Sequence, residues 1–239
     1  MLGHHRLSRA VLILVVFGLF SACDDDDTSP TGDITPPARV NDLSAVAISL
    51  DWVTLEWSTP GDNGSLGTAS EYDLRYGIEP ITEDVWDDED QAQGEPVPGS
   101  PGSVETFTVT DLQPGTTYHF ALKTRDEVPN WSPLSNVETV LTVANEPPET
   151  FVTNSPVEPV GDDFQVHLYW HGTDSDGVVA GFVWVWNIAG DWNWTTRTDS
   201  VFVLSELGEH VFHVAAEDDR GVRDSTPATL QIDIPLLGQ

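Results

Sequence analysis

The sequence predicts an all-β chain built as two tandem antiparallel β-sandwiches, and three observations predict it. Apolar and polar residues alternate over short runs, as in Val53, Leu55 and Trp57 set against Thr54 and Glu56. Clusters of Gly, Pro, Asp and Asn separate those runs. No long window repeats its apolar residues at the helical period, so strands facing a core on one side account for the pattern. A proline pair, Pro147-Pro148, divides the strand-bearing region in two.

The chain begins with Arg6 and Arg9, an apolar run at 11–20, and Ser21-Ala22 before Cys23, the single cysteine among 239 residues. A basic head, a short greasy middle and small residues before a cut mark a secretory signal, because the run is too short to span a bilayer. Leu19-Phe20-Ser21-Ala22-Cys23 resembles the lipobox of bacterial lipoproteins. The resemblance implies a leader over 1–22, lipid on the Cys23 thiol, and a place on the periplasmic face or cell surface of a bacterial envelope. An ordinary leader with an incidental cysteine is the competing reading. Residues 23–35 carry four consecutive aspartates and then Thr, Ser, Pro and Gly, a tether too charged and too poor in apolar side chains to fold.

The first sandwich is expected over 36–143. Its strands are read at 53–57, 72–76, 106–109 and 118–123, with Pro60-Gly61-Asp62-Asn63-Gly64 closing the first of them. Pro37, Trp57, Tyr72, Tyr76 and Leu112-x-Pro114-Gly115-x-x-Tyr118 resemble a fibronectin type III domain. The resemblance implies a tyrosine corner, in which the Tyr118 hydroxyl bonds back to nearby backbone. An acidic insertion at 83–102 lengthens the middle of the domain.

After a stiff linker at 144–149 the strand pattern resumes over 150–236, with runs at 164–170, 178–186, 202–204, 210–215 and 228–234. Phe182, Trp184 and Trp186 share strand parity and are expected to face the core together. Trp170, Asp174-x-Asp176-Gly177, Gly208 and Asp218-Asp219-Arg220-Gly221 are similar to PKD-like and other immunoglobulin-like modules of bacterial surface proteins.

Charge narrows the partners. The chain holds 9 Lys+Arg against 40 Asp+Glu. Loss of Arg6 and Arg9 with the leader leaves seven cations and a formal charge of −33. Such a surface repels phosphate, so nucleic acid is not expected as a partner. With Cys23 lipidated, no disulfide forms within the chain, and each domain depends on its apolar core.

No enzyme is expected. The sequence holds no Gly-x-Ser-x-Gly elbow, no His-Glu-x-x-His and no phosphate-cradling glycine loop. His167 and His171 share a strand face, but no third metal ligand stands at a suitable spacing. Arg220-Gly221 is followed by Val222, so the integrin-type Arg-Gly-Asp motif is absent.

Two loop clusters suggest calcium as a cofactor. Fibronectin connectivity gathers Asp62 and Asn63 with Asp126, Glu127 and Asn130 at one end of the first domain. In the second it gathers Asp174 and Asp176 with Glu217, Asp218 and Asp219, facing the linker that carries Asn145 and Glu146. Converging hard oxygen ligands are what calcium requires, while ordinary turn chemistry also favours Asp and Asn at these positions. Trp192 and Trp194, after a Gly-Asp turn, suggest a stacking surface for glycans. The function read from the sequence is therefore a non-catalytic, lipid-anchored envelope protein that binds a protein or polymer. A carbohydrate-binding accessory protein and a calcium-stiffened spacer are the alternatives.

Overall fold

The computed structural model describes residues 33–128 and 130–234; the leader, Cys23 and most of the expected tether lie outside them. Seven strands build the first sandwich: β1 (Ser44–Ile48), β2 (Val53–Ser58), β3 (Glu71–Gly77), β4 (Asp90–Gln91), β5 (Val104–Val109), β6 (Thr117–Arg125) and β7 (Glu138–Leu141). They form two antiparallel sheets, in the orders β1-β2-β5 and β4-β3-β6-β7. The second sandwich comprises β8 (Glu149–Asn154), β9 (Glu158–Val160), β10 (Asp163–Thr173), β11 (Val179–Trp186), β12 (Asn193–Thr195), β13 (Asp199–Leu204), β14 (Gly208–Asp218) and β15 (Ala228–Ile234). Its sheets run β13-β10-β8, with β9 also on β10, and β12-β11-β14-β15. Apart from the small β9, both sandwiches repeat one plan: first, second and fifth strands on one sheet, the remaining four on the other. Both lie in one compact unit that begins at Thr35.

Alternation explains the cores. Every second residue of β2, namely Val53, Leu55 and Trp57, is buried against Leu74 of β3 and Phe120 and Leu122 of β6. The Trp57 indole meets the Tyr72 ring edge-on at 5.1 Å between centroids. Each such side chain contributes about 1.5–3 kcal/mol by leaving water. At the start of β6 the Tyr118 hydroxyl accepts a hydrogen bond from the Gln113 backbone N–H at 3.0 Å. That bond ties the loop to the strand five residues on.

The second core is built around Phe212, which is fully buried on β14. Trp170, Trp184, Trp186 and Phe202 surround it with ring centroids 5.0 to 5.8 Å away. Phe182, Trp184 and Trp186 do turn to this core together.

The acidic insertion is more than a loop. Its one 3-10 turn, Trp86–Asp88, drops Trp86 onto the outer face of β3 and β6, where it is buried with Ile81 and Ala121. Arg75 and Lys123 lie over the indole at 5.0 and 4.7 Å. Their charges are met by Asp73 and Glu83. Among the described residues, no helix is long and apolar enough to cross a membrane.

Candidate functional site

The end of the second sandwich that faces the linker gathers most of its acidic loop. Strand β10 delivers Asp174 and Asp176 into the turn before β11, and β14 ends on Asp218. The linker crosses this turn. Asn145 Nδ2 donates to Asp218 Oδ2 at 2.7 Å, the Glu146 N–H donates to Asp176 Oδ2 at 2.9 Å, and Ser175 Oγ donates to Glu146 Oε2 at 3.0 Å. Asp218 is consumed by structure: its Oδ1 accepts the backbone N–H groups of Arg220 and Val222 at 2.9 and 2.7 Å. Asp219 Oδ1 takes the Val178 N–H at 3.4 Å.

Three oxygens remain enclosed without a hydrogen bond: Asp174 Oδ2, Asp176 Oδ1 and Asn145 Oδ1. Burial, followed by the neighbouring carboxylates of Asp176 and Asp218, pushes the Asp174 carboxyl above its ordinary range. Burial works the same way on Asp218. There, hydrogen bonds from Asn145, Val222 and Arg220, with the Arg220 charge, outweigh it and hold that carboxyl below the ordinary range.

Glu217, expected in this cluster, does not join it. Successive strand residues point to opposite faces, so Glu217 turns away from Asp218 and binds Arg223 Nε at 2.6 Å. A contact that sequence reasoning missed spans the two sandwiches: Arg220 Nη2 meets Asp51 Oδ2 at 3.0 Å, 169 positions away. Beside it lies a groove of about 680 Å³, lined by Asp51, Asp111, Pro114, Asn145, Arg220 and Val222. No local pattern could have signalled that pair, because it depends on how the two sandwiches meet at their junction.

In the first sandwich, Asp126 is buried and accepts both the Asn130 N–H at 3.1 Å and the Asn130 Nδ2 at 2.8 Å. Asn63 Nδ2 donates to Asp62 Oδ2 at 3.1 Å. Asp62 and Glu127 bring carboxylate oxygens within 4.8 Å of each other. Side chains bonding their own turn account for the Asp126–Asn130 pair.

The histidine pair does not converge on a common point. His167 uses both ring nitrogens, Nε2 with Asp199 Oδ2 at 2.7 Å and Nδ1 with the Tyr169 hydroxyl at 2.8 Å. His171 stacks on Phe151 at 4.9 Å.

Trp192 and Trp194 are 37% and 57% exposed. Trp194 pairs with Val183 across β11 and β12, and its indole lies on the Gly181 backbone. A Cβ at Gly181 would stand 2.8 Å from that ring. One face of Trp194 is thereby spent on the sheet, and exposure is left to the other.

Residues 35–140 match the family model of the fibronectin type III domain. Calcium-activated chloride channel regulator 2 of Mus musculus is 34% identical over 98 residues, covering 38% of this chain and 10% of that protein. The chain therefore spans about a tenth of the length of that relative. Among solved structures, the FN1–FN3 domains of chicken CNTN1 align over 83% of this chain and 67% of that one, with 20% identity and a TM-score of 0.39.

Proposed function

We propose, from the premise that residues 35–140 form a fibronectin type III domain, that the protein is a non-catalytic, lipid-anchored component of a bacterial envelope. In this reading its sandwiches present loops and sheet faces to another protein or to a polymer. The carrying observation is the repetition of one strand plan in two cysteine-free modules, behind a leader-like run over 1–22 that is followed directly by Cys23. Fold alone does not specify a ligand, so the anchoring and the binding are tested separately. Mass spectrometry of the mature N-terminus should find acyl groups on Cys23. A Cys23→Ala chain should leave the membrane fraction; a mature protein that is water-soluble with a free thiol defeats the anchoring.

The enclosed oxygens of Asp174, Asp176 and Asn145 support a second feature, a calcium ion that stiffens the junction. Calcium takes six to eight such oxygens, and the cation would neutralise carboxylates that otherwise repel. Calorimetry with calcium chloride tests it, and a titration without heat rejects it.

Exposure of Trp192 and Trp194 supports the alternative of glycan binding by the second module. Tryptophan fluorescence that stays flat against cell-wall and exported polysaccharides would count against that alternative.

A further inference from the structure

The two sandwiches serve as controls for each other, because the same strands occupy the same places in both. On the three-stranded sheet of the first sandwich, the residues of β2 that point away from the core are Thr54, Glu56 and Ser58. Their cross-strand neighbours on β5 are Thr108, Thr106 and Val104. Thr54 and Thr108 join hydroxyls at 2.8 Å. Val46 and Ile48 of β1 and Val104 of β5 are exposed on this sheet as well, but no exposed aromatic ring stands among them and the rest of the face is polar.

The corresponding face of the second sandwich is different. Phe164, Val166, Leu168 and Trp170 of β10 fill the core, so His167, Tyr169 and His171 point outward. Register places Val203 and Val201 of β13 beside Gln165 and His167, and Phe151 of β8 beside His171. Phe151, Tyr169, Val201 and Val203 are each 43% to 56% exposed. A contiguous aromatic and β-branched patch of this kind is uncommon on a solvated sheet and marks a contact surface. The strand plan does not require its rings, since Trp57 and Phe107, the aromatics of the matching sheet in the first sandwich, turn to the core.

Charge and ring geometry select among occupants. Glu149 and Glu158 lie on the same face by register, opposite Thr173 and Gln165. Arg197, the nearby cation, faces Asp199 at 3.8 Å. The rim is acidic, as is the chain, so a second copy or an anionic polymer would be repelled. The rings lie against one another: Phe151 stacks on His171 at 4.9 Å, and His167 packs at a tilt of 31° on Tyr169 at 4.1 Å. Stacking hides one face of Phe151 and of His171, and the tilted contact covers part of Tyr169, so less flat surface is left for a sugar to stack upon. An apolar centre inside a charged rim has the anatomy of a protein interface.

We infer that the outer face of β8, β10 and β13 docks a basic polypeptide surface, whose apolar centre covers Tyr169, Val201 and Val203 and whose Lys and Arg side chains meet the acidic rim. This rests on the binding-module reading and names the partner class for one face. The test uses the full-length chain in its native envelope, with p-benzoylphenylalanine at position 169, 54 or 194. Position 169 should form adducts with a polypeptide whose cross-linked segment is flanked by Lys and Arg; position 54 should form none. Val201→Thr with Val203→Thr, which copies the threonines of the first sandwich, should cut the 169 adduct about tenfold while leaving the melting temperature within a few degrees. Raising the salt should weaken the adduct. Adducts at 169 with glycan, with a second copy of the chain or with an acidic segment would overturn the inference, as would equal yields at 169 and 54 or a yield indifferent to the threonines. Adducts at 194 alone overturn it and leave the binding reading standing, whereas no adduct at any position defeats both.

Discussion

Replacing Asp174 by asparagine distinguishes a built cation site from ordinary turn chemistry, because the two make opposite predictions once calcium is present. Asp174 Oδ2 and Asp176 Oδ1 are enclosed without hydrogen bonds, and the Asp174 carboxyl is raised by burial and by its acidic neighbours. A carboxyl whose folded pKa exceeds its unfolded value binds protons more readily when folded. Its ionisation therefore costs stability, absent below the ordinary carboxylate range and complete above the raised value. At pH 7 in EDTA, Asp174→Asn removes that repulsion, on the order of 1 kcal/mol, and keeps a side-chain oxygen for the Asp176 N–H at 3.3 Å. The variant should then melt at or slightly above the wild type. With calcium the order reverses. At a Kd of about 10⁻⁴ M, within the range of extracellular modules, 1 mM calcium stabilises the wild type by about 1.4 kcal/mol. That raises its Tm by roughly 3–6 °C in a chain of this size, and the variant should lose most of the gain. Differential scanning calorimetry of both proteins, in EDTA and in calcium, reads the crossover. If calcium moves the wild-type Tm by less than a degree, or both proteins shift alike, the cation site is refuted and the carboxylates are turn residues only.

Asp218 has the opposite sign: its carboxyl is held low by Asn145, Val222 and Arg220, so its stabilisation is present above the ordinary carboxylate range and lost as pH falls through the lowered value. Asp218→Ala strands the two backbone donors and should cost about 3 kcal/mol at pH 7, with a smaller deficit in acid; equal urea midpoint losses at both pH values would contradict this. Phe212→Ala removes the ring at the centre of four aromatic neighbours and should cost about 3–5 kcal/mol in urea unfolding. Tyr118→Phe loses only the hydroxyl that accepts the Gln113 N–H, a loss of about 1 kcal/mol by the same measurement. Asn187 and Ile188 both hold positive φ, 52° and 51°, in the turn after β11. A β-branched residue is poorly suited to that conformation, and Ile188→Gly should raise stability by about 1 kcal/mol; a lower Tm would show that the turn is not strained.

The alternation of Val53, Leu55 and Trp57, the parity of Phe182, Trp184 and Trp186 and the Leu112-to-Tyr118 motif could all be read along the chain. Each depends on residues close in sequence, and the two-residue strand period is a local constraint that survives without knowing which strands pair. The acidic loops at Asp174, Asp176, Asp218 and Asp219 were also legible, since the order of strands determines which end each loop occupies. The exclusion of Glu217 obeys the same period, but only once β14 is seen to run on to Asp218. The bridge from Arg220 to Asp51 and the burial of Trp86 beneath Arg75 and Lys123 were not legible. Those contacts depend on how side chains approach across sheets and between sandwiches, where a shift of one residue sends a group to the other face. The patch formed by Phe151, Tyr169, Val201 and Val203 belongs with them. Its members come from three strands, 52 positions apart at the extremes, and only the pairing of β8, β10 and β13 sets them side by side.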